Sequence, residues 1–318
     1  MVSLLRRILV VYHIADVIPG NASVQHTSSS TRSYRDFVPL IQPVSPSTTG
    51  ALLSICRQAP GLTLASHRED LVGEALDTLQ KKYDIKRDEI HIQTKFTPVG
   101  GQDLNKPIPY NVSDAVKDQI AASLRVSLHN LRTSYIDSYL LHSPLRTMKG
   151  TLEAWRALMA AQDAGTVRKI GVSNVYDTRV LAALGELRKV QVVQNRWYEG
   201  NLWDPDVWKY CKDHGIEYQC VPLPCPLVPA INDSRRSFWT LSGSTSLLTH
   251  PAVVTIAGRL DVTPAQVIYK LAQLHSIVPL TGTTNELHMQ QDLAAERIAF
   301  MEDVDGEVRN ITKFIWGR

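Results

Sequence analysis

The chain has 318 residues, 44% of them hydrophobic, enough for one large barrel or two ordinary domains around a sizeable core. Its 34 basic and 31 acidic side chains leave a net charge of +3, and the Lys and Arg residues are scattered along the sequence. That excludes the concentrated positive field of a nucleic-acid-binding domain.

The first 35 residues differ from the rest. Arg6 and Arg7 precede an apolar run, as in a signal peptide, but His13 and Asp16 interrupt it early. SVQHTSSSTRS (23–33) is rich in Ser and Thr and poor in apolar residues. Residues 1–35 therefore read as a flexible N-terminal extension, and 36–318 as a single domain. FVPLIQPV (37–44) suits a first strand, ALLSICRQA (51–59) a short helix and GLTLAS (61–66) a second strand, a weakly marked opening βαβ unit.

The pattern then firms. EDLVGEALDTLQKKY (69–83) sets Leu71, Val72, Ala75, Leu76 and Leu79 on one helical face. IHIQTK (90–95) follows as a strand. DAVKDQIAASLRVSLHNL (114–131) is a helix that Asn111 and Ser113 can cap. YIDSYLL (135–141) is a strand, TLEAWRALMAAQDAG (151–165) a helix closed by a glycine, VRKIGVS (167–173) a strand, TRVLAALGELR (178–188) a helix and VQVVQN (190–195) a strand. DPDVWKYCKDHG (204–215) is a helix with Asp204 as N-cap and Pro205 at its first position. IEYQ (216–219), the helix TPAQVIYKLAQL (263–274), IVPL (277–280) and a helix opening at NELHMQQDL (285–293) complete the alternation.

Eight strands alternating with helices imply a (β/α)8 TIM barrel. Its first unit is degraded, and a proline-rich insertion interrupts the region of the seventh strand. A doubly wound open sheet needs a glycine-rich phosphate loop after its first strand, and none stands there. In a parallel barrel the C-terminal strand ends share one rim, where active sites sit. The strands above end at Lys95, His142, Ser173 with Asn174, and Gln194 with Asn195, so distant residues converge there.

No apolar run reaches the ~18 residues of a membrane span. Cys56, Cys211, Cys220 and Cys225 form neither a CxxC metal pair nor a disulfide framework. They read as thiols of a reducing compartment, the cytoplasm, with no membrane or nucleic-acid partner and no metal.

Seven motifs resemble the aldo-keto reductase family, especially its fungal members. They are EDLVGEAL (69–76), IQTKF (92–96), YIDSYLLHSP (135–144), GVSN (171–174), VVQNRWY (192–198), TPAQVIYK (263–270) and GTTNELHM (282–289). The resemblance implies NAD(P)H-dependent reduction of an aldehyde or ketone, in fungi often a secondary metabolite, by a tetrad of Asp, Tyr, Lys and His. Lys95 and His142 match the family Lys and His. Ser173, Asn174 and Gln194 match residues that bind the nicotinamide carboxamide, and Phe238 matches an aromatic that stacks on the ring. Thr283 and His288 fall where relatives hold the adenosine phosphate of NADP(H), NAD(H) remaining an alternative.

Three departures qualify that expectation. Anchored on Glu69 and Gly73, the family Asp falls on Gly61 and the family Tyr on Ser66, and a Ser hydroxyl is a far weaker acid than a phenol. CVPLPCPLVPAINDSRR (220–236) separates Tyr218–Gln219 from Ser237–Phe238, which adjoin in fungal relatives. Gly282 and His288 replace the usual Lys and Arg of the phosphate site. The alternative function is therefore a catalytically impaired relative that binds nucleotide and regulates or scaffolds a partner.

Overall fold

A computed structural model describes residues 53–54, 69–105, 107–221, 245–280 and 286–317. The N-terminal extension, the expected strands at 37–44 and 61–66, and most of the proline-rich segment lie outside these residues.

The described strands are β1 (Leu53–Ser54), β2 (Ile92–Phe96), β3 (Ile136–Leu141), β4 (Val167–Ser173), β5 (Val192–Arg196), β6 (Glu217–Val221) and β7 (Ile277–Pro279). They form one sheet in the order β1 to β7, every neighbouring pair parallel. A doubly wound sheet reverses its order at a switch point. Sequential order without reversal is that of a singly wound barrel. Every residue of β2 and β3 is buried, as expected of parallel strands covered on one side by helices and on the other by a filled interior.

The helices are α1 (Glu69–Tyr83), α2 (Val116–Asn130), α3 (Met148–Asp163), α4 (Thr178–Leu187), α5 (Pro205–Asp213), α6 (Thr245–Leu248), α7 (Pro251–Leu260), α8 (Pro264–Leu274), α9 (Glu286–Ala294) and α10 (Asp305–Trp316). In α1 the apolar stripe buries Val72, Ala75, Leu76 and Leu79. Full burial of a leucine contributes about 1.5–3 kcal/mol, so this stripe anchors the helix to the sheet. In α8, Thr263 and Gln266 form a reciprocal capping box ahead of Pro264. α3 begins at a Thr147 cap and is followed by Gly165 at φ 75, a left-handed turn that glycine adopts without steric cost.

Four expectations are corrected. Residues 53 and 54 pair with Ile92 and Gln93 as a strand, not a helix, because a long-range ladder overrides the local apolar spacing of 51–59. Asn111 and Ser113 do not cap α2. Asn111 Oδ1 accepts from the Ser113 amide and hydroxyl, and Ala115 takes the cap position without a side-chain bond. Asp204 holds the cap position of α5 but makes no cap bond, since its carboxylate is engaged elsewhere. Cys220 and Val221 belong to β6, with Cys220 paired to both Asn195 and Pro279. The expected interruption at 220–236 therefore does not include its first two residues, which are strand.

The N-terminal ends of β2–β4 are locked by charge. Asp137 is buried and accepts from Arg87 (2.8 Å), Arg168 (3.1 Å) and the Ile92 amide (2.9 Å). The two guanidinium groups lie 4.0 and 3.9 Å from the centre of the Tyr135 ring. This end of a barrel serves stability, leaving the opposite end for chemistry.

Candidate active site at the C-terminal rim

Side chains alternate across a strand, so the partners of β2 assign its faces. Thr94 reaches outward, its hydroxyl donating to Glu69 of α1 at 2.8 Å. Gln93 and Lys95 therefore face the interior. A lysine at a strand end is ordinarily a solvated surface charge, yet Lys95 is only 2% exposed.

His142 directly follows β3. Its amide donates to the Phe96 carbonyl at 2.8 Å, extending the ladder between β2 and β3 by one step. Its Nδ1 lies 2.9 Å from the Thr97 hydroxyl. The Thr97 carbonyl in turn accepts from the Tyr110 hydroxyl (2.6 Å) and from Gln102 Nε2 (3.0 Å). Tyr110 packs on Phe96, ring centroids 5.4 Å apart. The imidazole is thus oriented through Nδ1, which turns Nε2 to the opposite side of the ring.

Ser173 pairs in register with Gln194, and both are buried. Asn174 takes a left-handed conformation, φ 52, which a short amide side chain tolerates better than most. There its Nδ2 donates to the His142 carbonyl (2.8 Å) and the Ser173 hydroxyl (3.3 Å), and its backbone N–H donates to the Gln194 carbonyl. One residue thereby ties the ends of β3, β4 and β5 together. Lys95, His142, Ser173, Asn174 and Gln194 stand at the ends of four adjacent strands, as the motif positions anticipated.

Asn195 points outward and braces the loops. It bonds both the amide (3.0 Å) and carbonyl (2.5 Å) of Val175 and donates to Asp204 Oδ2 at 2.7 Å. Asp204 also accepts from the Tyr218 hydroxyl at 2.8 Å. Burial pushes the Asp204 carboxyl up to about 6, the bonds from Asn195 and Tyr218 only partly opposing it. Tyr218 is pushed well above its ordinary range, first by burial and then by the Asp204 charge.

His288 lies in α9, half-buried, and burial lowers its pKa. Phe238, Thr283, Gly61 and Ser66 lie outside the described residues. Sequence reasoning missed Thr97, Tyr110, Gln93, Glu217 and Gln219. For Gln93 the signal was present, since it stands two residues before Lys95 and shares its face; Thr97 and Tyr110 carry no local signal.

A parallel barrel whose polar side chains gather at the C-terminal strand ends is the architecture of a TIM-barrel protein with its site at that rim. Residues 65–313 match the model of the Aldo/keto reductase family, and the chain belongs to that family of oxidoreductases, which reduce carbonyl compounds. An uncharacterised oxidoreductase of Schizosaccharomyces pombe is 27% identical over 244 residues, 76% of this chain and 73% of its own. An NAD/NADP-dependent indole-3-acetaldehyde reductase of the same yeast is 26% identical over 235 residues, 71% of this chain and 69% of its own. A silkworm (Bombyx mori) aldo-keto reductase complexed with NADPH superimposes with a TM-score of 0.62 at 19% identity, covering 83% of this chain and 74% of its own. The fold is the (β/α)8 barrel of these proteins, and the family uses NAD(P)H.

Proposed function

We propose that the chain reduces a small aldehyde or ketone with NADP(H), NAD(H) being the weaker alternative. The burial of Lys95 at the rim beside His142 carries this reading. An ammonium group is costly to withdraw from water, and such placement is characteristic of a group held for chemistry. Ser173, Asn174 and Gln194 supply a hydroxyl and two amides, a donor and acceptor set that suits a carboxamide. Phe238 would stack on the nicotinamide, and Thr283 and His288 would meet the adenosine phosphate. Burial favours the neutral imidazole of His288, so it would contribute a hydrogen bond rather than a charge there.

When bound, the reduced nicotinamide supplies the hydride. The chain must then neutralise charge growing on the carbonyl oxygen. Lys95 supplies positive charge, and protonated His142 donates from Nε2. With Gly61 and Ser66 at the positions of the family Asp and Tyr, no phenol is aligned by motif for proton donation. Lack of a general acid costs about 10²–10⁴ in rate. Turnover is accordingly slow, and it falls as pH rises because the donor is the protonated form of His142. Small aldehydes are the first substrates to try, given the yeast reductase above and a methylglyoxal reductase of Yersinia pestis that is 25% identical. A fungal secondary metabolite is the natural substrate we favour, in keeping with the fungal-type motifs.

The test is NADPH consumption with aldehydes and quinones, run beside NADPH binding measured by fluorescence. Slow turnover that falls with pH supports the reading, and the double change Gly61→Asp with Ser66→Tyr is expected to accelerate it. Binding without turnover selects the second reading, a nucleotide-binding regulator or scaffold, which the residues at 61 and 66 favour. Ordinary enzyme rates in the parent would show that another residue donates the proton. No binding refutes both readings.

A further inference from the structure

The barrel interior beneath the rim is polar, whereas parallel barrels are usually filled by branched apolar side chains. Gln93, Gln194 and Gln219 are each fully buried, on β2, β5 and β6. Below them Lys169 Nζ lies 2.8 Å from Glu217 Oε2. Burial alone would raise the Glu217 carboxyl, but the charge and hydrogen bond of Lys169, with a bond from Gln219, outweigh it and hold the group below its ordinary value. Glu217 is therefore an ionised carboxylate, which can only accept hydrogen bonds.

That restriction sets the polarity of everything above it. Glu217 Oε1 lies 2.7 Å from Gln219 Nε2, so Gln219 must turn its NH₂ group toward the carboxylate. The second hydrogen of that NH₂ goes to Gln93 Oε1 at 3.1 Å. Gln219 Oε1 then accepts from Gln93 Nε2 (2.7 Å) and Gln194 Nε2 (2.9 Å). Both hydrogens and the carbonyl of Gln219 are thus used. Gln194 gives one N–H of its amide to Gln219, which sets its NH₂ end toward Gln219 and its carbonyl end away from it. Without such an anchor, the two ends of a primary amide are nearly isosteric and either orientation is available.

We propose that Lys169, Glu217 and Gln219 form an orienting relay that presents Gln194 to its ligand as a hydrogen-bond acceptor, selecting ligands that carry N–H at that point. This rests on the reading of Gln194 as a carboxamide-binding residue. Glu217 and Gln219 are positioning residues, acting only through Gln194. The relay makes the pocket discriminate a carboxamide, which offers N–H, from an acetyl group of similar shape, which offers none.

The experiment compares binding of NADPH with that of its reduced 3-acetylpyridine analogue, by quenching of tryptophan fluorescence. The parent is expected to bind NADPH about tenfold more tightly, the effect of one hydrogen bond. In Glu217→Gln the anchor becomes an amide that can donate or accept, so Gln219 is released and the preference is expected to shrink to about threefold or less. Gln219→Met, which keeps the length without the amide, is expected to do the same and serves if the first variant does not fold. A merely structural role would weaken both ligands equally and leave the ratio unchanged. A tenfold preference retained in either folded variant overturns the relay, as does a parent that binds both ligands equally. A parent that binds neither overturns the relay together with the carboxamide reading beneath it.

Discussion

Asp204→Asn isolates the cost of a buried charge at the edge of the site. Asp204 is 6% exposed, and its neighbours are a neutral amide and a neutral phenol, Asn195 and Tyr218. Its folded pKa of about 6 stands above the reference 3.8, chiefly because of burial. The difference of roughly two units, at 1.36 kcal/mol each, sets an upper bound of about 3 kcal/mol. The sign follows from the raised value. The favourable contribution of the protonated acid is complete below pH 3.8 and lost as pH rises through about 6. Asparagine keeps the acceptor that meets Asn195 and Tyr218, carries no charge, and suits the left-handed backbone of this position, φ 49. The variant should therefore match the parent near pH 4 and exceed it above pH 7. For a chain of this size about 3 kcal/mol corresponds to roughly 4–6 °C in melting temperature. The assay is thermal unfolding of both proteins in parallel from pH 4.5 to 8, taking the difference at each pH so that other carboxylates cancel. A difference that does not change with pH would show that Asp204 is ionised without penalty, and the argument from its burial would fall.

Three further substitutions test other parts of the structure. A Cβ at Gly171 would lie 2.1 Å from the Val192 carbonyl oxygen and 2.6 Å from Leu140, so Gly171→Ala should cost at least the ~1–3 kcal/mol of overpacking. Gly185→Ala, in α4 with nothing within 4 Å, should instead stabilise by about 0.5–1 kcal/mol, and denaturant unfolding of the pair decides whether close strand approach requires glycine at 171. His288→Arg replaces an imidazole that burial biases to its neutral form with a permanent cation. It should raise affinity for NADPH about tenfold while leaving NADH unchanged, and equal gains for both dinucleotides would place His288 away from the 2′-phosphate.

The helix 69–83 was determined by the sequence to the residue, because its signal is local: an apolar stripe of period 3.6 with acidic residues at its start and lysines at its end. The convergence of Lys95, His142, Ser173, Asn174 and Gln194 was likewise readable, because strand ends of a parallel barrel share one rim whatever the spacing between them. Tertiary structure decided what depends on partners far along the chain. Leu53–Ser54 became a strand because Ile92–Gln93 offered a ladder. Asp204 gave up capping because Asn195 and Tyr218 claimed its carboxylate from neighbouring strands. Thr97 and Tyr110 entered the site because the end of β2 lies beside His142, a pairing across 45 residues. The amide network of Gln93, Gln194 and Gln219 had no motif, since its members sit on strands β2, β5 and β6 and meet only in the barrel interior. Periodicity reports which face a residue occupies, whereas hydrogen-bond polarity depends on which groups the fold places opposite one another.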